Sequence, residues 1–136
     1  MVHKIVVGSD TSASADLAVR AAADLARAND AELLVLYVKP PLEAREVFDP
    51  GKAPDPGGYL QRIQERFPGV RTRTRQEDGE PARAICRVAE SEGADLIVVG
   101  NRGAQGRRRS FLGSVPGGVI RHAPTSVYIV DTRVAH

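Results

Sequence analysis

The chain has 136 residues, enough for one domain and too few for two ordinary ones, and its 42% hydrophobic and 26% charged residues are those of a soluble globular protein with no membrane-length apolar stretch. A net charge of +2 with a pI near 9.0 leans basic by too little to demand nucleic acid as a partner. The single Cys86 excludes an internal disulfide and any multi-cysteine metal site, and no signal-type leader precedes the first apolar run, so a cytoplasmic protein is expected.

Lys4-Ile5-Val6-Val7 predicts a first strand, ending at Gly8-Ser9-Asp10-Thr11-Ser12, residues that turn the chain and cap helices. Leu17, Ala18, Ala21, Ala22, Leu25 and Ala26 then recur at helical spacing, a small apolar face suited to lying flat on a sheet, until Asn29-Asp30. Glu32 to Val38 is too continuously apolar for a half-solvated strand and predicts a central parallel one. From Lys39 to Gly58 the chain carries Pro40, Pro41, Pro50, Pro54 and Pro56 with Gly51, Gly57 and Gly58, a density that predicts one long, flexible loop.

A second helix is expected with Tyr59, Leu60, Ile63 and Phe67 on one face, stopped by Pro68-Gly69. Val70 to Gln76 alternates, with Val70, Thr72 and Thr74 on one face and Arg71, Arg73 and Arg75 on the other, the pattern of an edge strand guarded by charge. Gly79-Glu80-Pro81 opens a third helix with Ala82, Ile85, Cys86 and Ala89 inward, Cys86 serving as a small hydrophobe, and Gly93 closes it. Strand Asp95 to Val99, a glycine-rich segment, a helix from Ser114 to Arg121 and a last strand Ser126 to Val130 follow. Strict alternation of strand and helix calls for a single α/β domain over residues 1–136, a parallel sheet covered on both faces.

The chemistry concentrates after the fourth strand. Gly100-Asn101-Arg102-Gly103 and Gly113-Ser114-Val115 give the spacing Gly-x2-Gly-x9-Gly-Ser at the exit of a buried strand. Glycines there let the main chain approach an anion, and Ser114 opens a helix whose first N–H groups and positive dipole end face the same point, as a phosphate cradle requires. With strand order 3-2-1-4-5, the reversal lies between strands one and four, and Asp10 would meet Gly100 across one crevice. Asp10 reads as the first helix's N-cap or as a ligand contact, and both can hold. Arg107-Arg108-Arg109 is either a solvated charge run or a source of a phosphate contact.

Other chemistries lack their residues. The glycine loop has no Gly-Lys-Ser/Thr ending, the first turn lacks Gly-x-Gly-x-x-Gly, and no nucleophile elbow or zinc-spaced set occurs. His3, His122 and His136 form no credible triad, and His122 suits the dipole at a helix end.

Val6-Val7-Gly8-Ser9-Asp10-Thr11-Ser12, Leu36-Tyr37-Val38, Gly79-Glu80-Pro81-Ala82 with Ala94 to Gly100, and Gly113-Ser114-Val115 with Arg121-His122-Ala123-Pro124 together resemble the universal stress protein family in its nucleotide-binding branch. The resemblance implies a flavodoxin- or Rossmann-like five-stranded parallel sheet in order 3-2-1-4-5, a homodimer paired through Val127 to Val130, and bound ATP, with Mg2+ near Asp10. It implies that Val38 meets adenine through its main chain and that Ser9 and Asp10 lie near ribose, phosphate or the metal. Gly100 and Gly103 would line sugar and phosphates, with Asn101 and Arg102 among the nucleotide contacts and Gly113, Ser114 and Val115 as donors.

One departure stands out: Pro116-Gly117-Gly118 replaces the serine or threonine common in nucleotide-binding members, and proline offers neither hydroxyl nor N–H, which leaves room for AMP or cyclic AMP. The expected function is a stress or signalling sensor, or a nucleotide sequesterer, with no catalytic residue and at most slow ATP hydrolysis. The alternative is a dimeric interaction module without nucleotide; neither membrane nor nucleic acid is an expected partner. Independently of the resemblance, Val127 to Val130 is an apolar edge without protective charge, suited to pairing with a second copy.

Overall fold

Strands that read as unbroken apolar runs become the middle of a sheet. In the computed structural model, which describes residues 2–39, 56–101 and 114–132, the strands are β1 (Lys4–Ser9), β2 (Glu32–Lys39), β3 (Thr72–Asp78), β4 (Leu96–Gly100) and β5 (Ser126–Val130). All neighbours pair in parallel, in the expected order β3-β2-β1-β4-β5. The helices are α1 (Ala13–Asn29), α2 (Pro56–Ile63), α3 (Pro81–Glu92) and α4 (Ser114–His122).

Because side chains alternate across a strand, each central strand feeds two cores. Ile5, Val7, Leu33, Val35 and Val98 face the layer of α1 and α2. Val6, Leu34, Leu36, Val38, Ile97 and Val99 face that of α3 and α4. The division follows from handedness: β1 to β3 are laid down in one direction, then the chain jumps back past β1 to β4, and a right-handed crossover in the reversed direction puts its helix on the opposite face.

Local signals hold both ends of α1 and of α3. Ser12, not Asp10, is the N-cap of α1, its hydroxyl accepting from Ala15 N at 3.0 Å, and Asp30 closes the helix in the left-handed region at φ 54°. Glu80 caps α3 by accepting from the backbone of Ala82 and Arg83 ahead of Pro81, and Gly93 ends it at φ 66°. The buried stripe of α1 runs through Ala15, Ala18, Val19, Ala22, Ala23 and Ala26. It is turned from the expected one, with Leu17, Ala21 and Leu25 only half-buried, because alanines let the helix axis approach the sheet.

The expected 39–58 loop is too long at both ends: Lys39 belongs to β2, and Pro56-Gly57-Gly58 form the first turn of α2. Proline is tolerated there because the N–H it lacks has no helical acceptor. The remainder of that expected loop lies outside the described residues. α2 stops at Ile63, before Phe67, and passes into turns whose bonds include Arg66 N to Ile63 O at 3.1 Å. The two arginines of the β3 edge strand, Arg73 and Arg75, are not merely solvated guards. Arg73 binds Glu32 at 2.8 Å and Glu92 at 2.6 Å, while Arg75 binds Glu77 at 2.8 Å and Glu92 at 3.1 Å.

Two glycines set how closely the second helix layer packs. A Cβ on Gly8 would lie 2.7 Å from the terminal methyl of Ile85 on α3, and one on Gly118 of α4 would lie 2.7 Å from the Cβ of Ala82. Ile85 can rotate; an alanine Cβ cannot. Gly118→Ala is therefore expected to push α4 off α3, costing about 1–3 kcal/mol for overpacking against a gain of at most about 1 kcal/mol in helix propensity. The adjacent Gly117 has nothing nearer than Arg121 Nη2 at 4.0 Å. Gly117→Ala should be neutral or stabilising, and urea unfolding of the pair checks the contrast.

Candidate functional site

The carboxyl edge of the sheet opens at one place. β1 and β4 pair only from Ile5–Leu96 to Val7–Val98. Beyond that, β1 continues to Ser9 alongside Tyr37 of β2, and β4 continues to Gly100 alongside Val130 of β5. The two strands part, leaving a crevice at the point where strand order reverses. The amino ends are pinned instead: Asp95 accepts from His3 N at 2.7 Å and Lys4 N at 3.0 Å, and Thr125 Oγ1 donates to Asp95 O at 2.8 Å.

Two helix N-termini flank this opening from opposite faces. α1 starts directly after β1, and α4 must run back towards β5, so both present first N–H groups that lack helical acceptors, and positive dipole ends, at the carboxyl edge. Anions are favoured between them.

The β1–α1 turn is built from side-chain bonds to its own backbone. Ser9 Oγ accepts from Thr11 N at 3.0 Å, and Asp10 Oδ1 accepts from Ser12 N at 3.0 Å. Thr11 is held at φ 69°, a left-handed conformation that costs a β-branched residue on the order of 1–3 kcal/mol and is typical of ligand-binding turns. Below the turn, Arg66 donates to both carboxylate oxygens of Asp16 at 2.6 Å, and Tyr59 Oη donates to Asp16 Oδ1 at 3.1 Å while lying 3.5 Å from Ser9 Oγ. Burial by itself would raise the Asp16 pKa; the Arg66 bonds and charge, aided by Tyr59 and Arg20, outweigh it and leave the carboxyl below its ordinary range. Sequence reasoning placed Tyr59 on a core face and missed this cluster, since Asp16 and Arg66 are fifty positions apart and no spacing rule joins them.

The expected site residues fall into distinct groups. Asp10 stands immediately past β1 at the crevice, and Gly100 ends β4 across from it. Val38 lies one residue beyond Tyr37, the last partner of β1; its side chain is buried against the α3–α4 layer, so its main chain is the part at the edge. Ser9 is 8% exposed, its hydroxyl engaged with the turn.

Asn101, expected among the nucleotide contacts, has its side chain engaged beside β5. Its Oδ1 accepts from Thr132 N at 3.1 Å and Thr132 Oγ1 at 3.0 Å, and its Nδ2 donates to Asp131 at 3.2 Å, which commits the side chain to the segment after β5. Ser114 and Val115 begin α4, with the Val115 side chain packed on the core and its N–H among the helix's first. Pro116 is buried as the third residue of α4 and removes one of those N–H donors. Arg102, Gly103, Gly113 and Arg107 to Arg109 lie outside the described residues.

Among the described residues no cluster of His, Cys, Asp or Glu could hold a metal by itself, so a divalent ion at Asp10 would need ligand oxygens as partners. Two open grooves beside α2, about 340 Å3 between Leu60 and Thr74 and about 370 Å3 along Tyr59 and Arg66, lie off the crevice. They lack its two convergent helix ends. No helix of the described residues is long and apolar enough to cross a membrane.

An open parallel sheet whose strand order reverses at a parted carboxyl edge defines a doubly wound α/β protein with a switch-point ligand crevice. The sequence profile of the universal stress protein family matches residues 1–131, and the chain belongs to that family. It is 32% identical over 150 residues to a universal stress protein of Synechocystis, covering 94% of this chain and 97% of that one. It is 31% identical over 140 residues to one of Methanocaldococcus jannaschii, covering 96% and 82%. A crystal structure of a universal stress protein in complex with cAMP matches with a TM-score of 0.78 at 30% identity, covering 96% of this chain and 98% of that one.

The lowered Asp16 pKa sets an acid limit on stability. A carboxylate with a depressed folded-state pKa stabilises the fold above its ordinary value of about 4, and that contribution fades as pH falls through the lowered one. Asp16→Asn should cost about 1–3 kcal/mol at pH 7 by leaving Arg66 with a weaker acceptor, and the gap from wild type should shrink towards pH 3. Urea unfolding at the two pH values measures both.

Proposed function

We propose that this chain binds an adenine nucleotide in the crevice between β1 and β4 and acts as a stress or signalling sensor, or as a nucleotide store. The observation that carries the reading is the parting of β1 and β4 after Val7 with the N-termini of α1 and α4 on either side. Support comes from the 30% identical relative whose crystal structure contains cAMP.

In this reading Val38 offers main-chain groups to the adenine edge, and Asp10 meets the ribose or a nucleotide-bound Mg2+. Gly100 and Gly103 give the backbone close approach. Gly113, Ser114 and Val115 supply donors to phosphate. The buried Pro116 thins that donor set, which favours a single phosphate, as in AMP or cyclic AMP, over the triphosphate of ATP. These are binding groups, and the function needs no turnover.

Calorimetric titration with cyclic AMP, AMP and ATP with Mg2+ tests the proposal, with the monophosphates expected to bind at least as tightly as ATP. Ser114→Glu should lower affinity at least about a hundredfold by setting a like charge against the phosphate, while a carboxylate at a helix N-terminus leaves folding intact. Undiminished affinity would remove α4 from the site, and no binding of any of the three would favour an interaction module without nucleotide.

The same reading includes a homodimer through β5. Its outer edge has no partner strand among the described residues, and Tyr128 on it is 44% exposed, with Ile120 of α4 at 50%. Tyr128→Lys should shift sedimentation from dimer to monomer without loss of helical circular dichroism; a monomeric wild type would exclude this pairing.

A further inference from the structure

The Asp16 cluster reaches from α2 to the crevice turn, and its donor directions can be worked out. Asp16 is ionised and only accepts, so the Tyr59 hydroxyl spends its single proton on Asp16 Oδ1 at 3.1 Å. At Ser9, the oxygen receives Thr11 N–H at 3.0 Å. The Ser9 proton is then directed at Tyr59 Oη, 3.5 Å away, a long contact but the one that completes the order. The chain runs from Thr11 N–H through Ser9 and Tyr59 to Asp16, with Arg66 anchoring the carboxylate by two bonds of 2.6 Å and covering the Phe67 ring at 5.1 Å. A second route joins the same points: Asp16 N donates to Ser12 O at 3.0 Å, and Ser12 caps α1 while its own N–H is held by Asp10.

What this chain holds is costly by itself. Thr11 sits at φ 69°, and such a conformation persists in a β-branched residue only where the surroundings over-determine it. Ser9 and Thr11 are both buried, so water does not compete for the hydroxyl that receives the Thr11 N–H.

We infer that Tyr59, anchored by Asp16 and Arg66, is a positioning residue for the nucleotide: through Ser9 it holds Thr11 left-handed and so fixes Asp10 at the crevice, making ligand affinity depend on the hydroxyl that α2 presents to Ser9. This role rests on the crevice proposed above as the nucleotide site. It goes beyond it by assigning function to α2, which follows residues 40–55 and carries none of the expected site residues.

The test is calorimetric titration of the full chain with cyclic AMP at 25 °C, each variant first shown fully folded there by circular dichroism. Tyr59→Phe keeps the ring and loses the hydroxyl, and it should weaken binding about three- to tenfold, the worth of one hydrogen bond. Ser9→Ala should weaken it similarly. If Tyr59 acts through Ser9, the double variant binds no worse than the weaker single one. Gln64→Ala, which removes the 3.0 Å bond from Gln64 just past α2 to Thr74, should leave affinity unchanged.

A merely structural part for Tyr59 would lower the unfolding midpoint and leave the affinity and its coupling to Ser9 untouched. Should Ser9→Ala not fold, Thr11→Gly replaces it. Glycine adopts φ 69° without the side-chain cost, so adding Tyr59→Phe to it should lose less affinity than in the wild-type background. Wild-type binding that Tyr59→Phe leaves unchanged, or additive losses in the double variant, overturn the positioning role alone. Wild type that binds none of cyclic AMP, AMP and ATP overturns the crevice, and this role with it.

Discussion

The structure turns on where β1 stops pairing with β4. Up to Val7 the two strands form the centre of the sheet, with Ile5, Val6, Val7, Ile97 and Val98 fully buried between the two helix layers. After Val7 each follows its other neighbour, and the sheet is left open at the one point where the chain has reversed direction. That reversal also sorts the helices, α1 and α2 to one face and α3 and α4 to the other, so the opening is bounded by a helix start from each layer. An opening bounded by two positive helix ends follows from topology before any side chain is considered.

The rest of the fold keeps that opening in shape. Asp95 ties the amino ends of β1 and β4 together, so the strands diverge only at their carboxyl ends. Gly8 and Gly118 let α3 and α4 close on the sheet and on each other, which sets how α4 lies relative to α3. At the outer edge, the Lys4, Arg73 and Arg75 cations gather on Glu92 and link β1 and β3 to the last turn of α3. Each exposed pair contributes little alone, roughly 0–1 kcal/mol, and the network matters mainly in giving the edge strand a charged face.

Membership in the universal stress protein family accounts for the sheet order and the position of the crevice. Two features are this chain's own to explain. Pro116 takes a donor out of the first turn of α4 in a place where the helix loses no bond of its own. The Ser9–Tyr59–Asp16–Arg66 cluster binds α2 to the β1–α1 turn, so the helix after residues 40–55 shares its polar anchors with the turn that carries Asp10.

The amino-acid sequence by itself determined the elements and their layering. Continuous apolar runs at Lys4 to Val7 and Glu32 to Val38 can only be buried on both faces, Glu80-Pro81 and Gly93 bracket α3 through local backbone chemistry, and the glycines around Gly100 mark a strand exit. These signals lie within a few residues of their effect. Tertiary structure alone decided that Ser12 rather than Asp10 caps α1, that the buried stripe of α1 is turned towards its alanines, that Asn101 clips the segment after β5, and that Asp16 meets Arg66 and Tyr59. The cap is settled by which hydroxyl the turn geometry aims at Ala15 N, and the others by a contact from elsewhere in the chain or by the depth to which a helix sinks on the sheet. Such geometry exists only once the layers have packed.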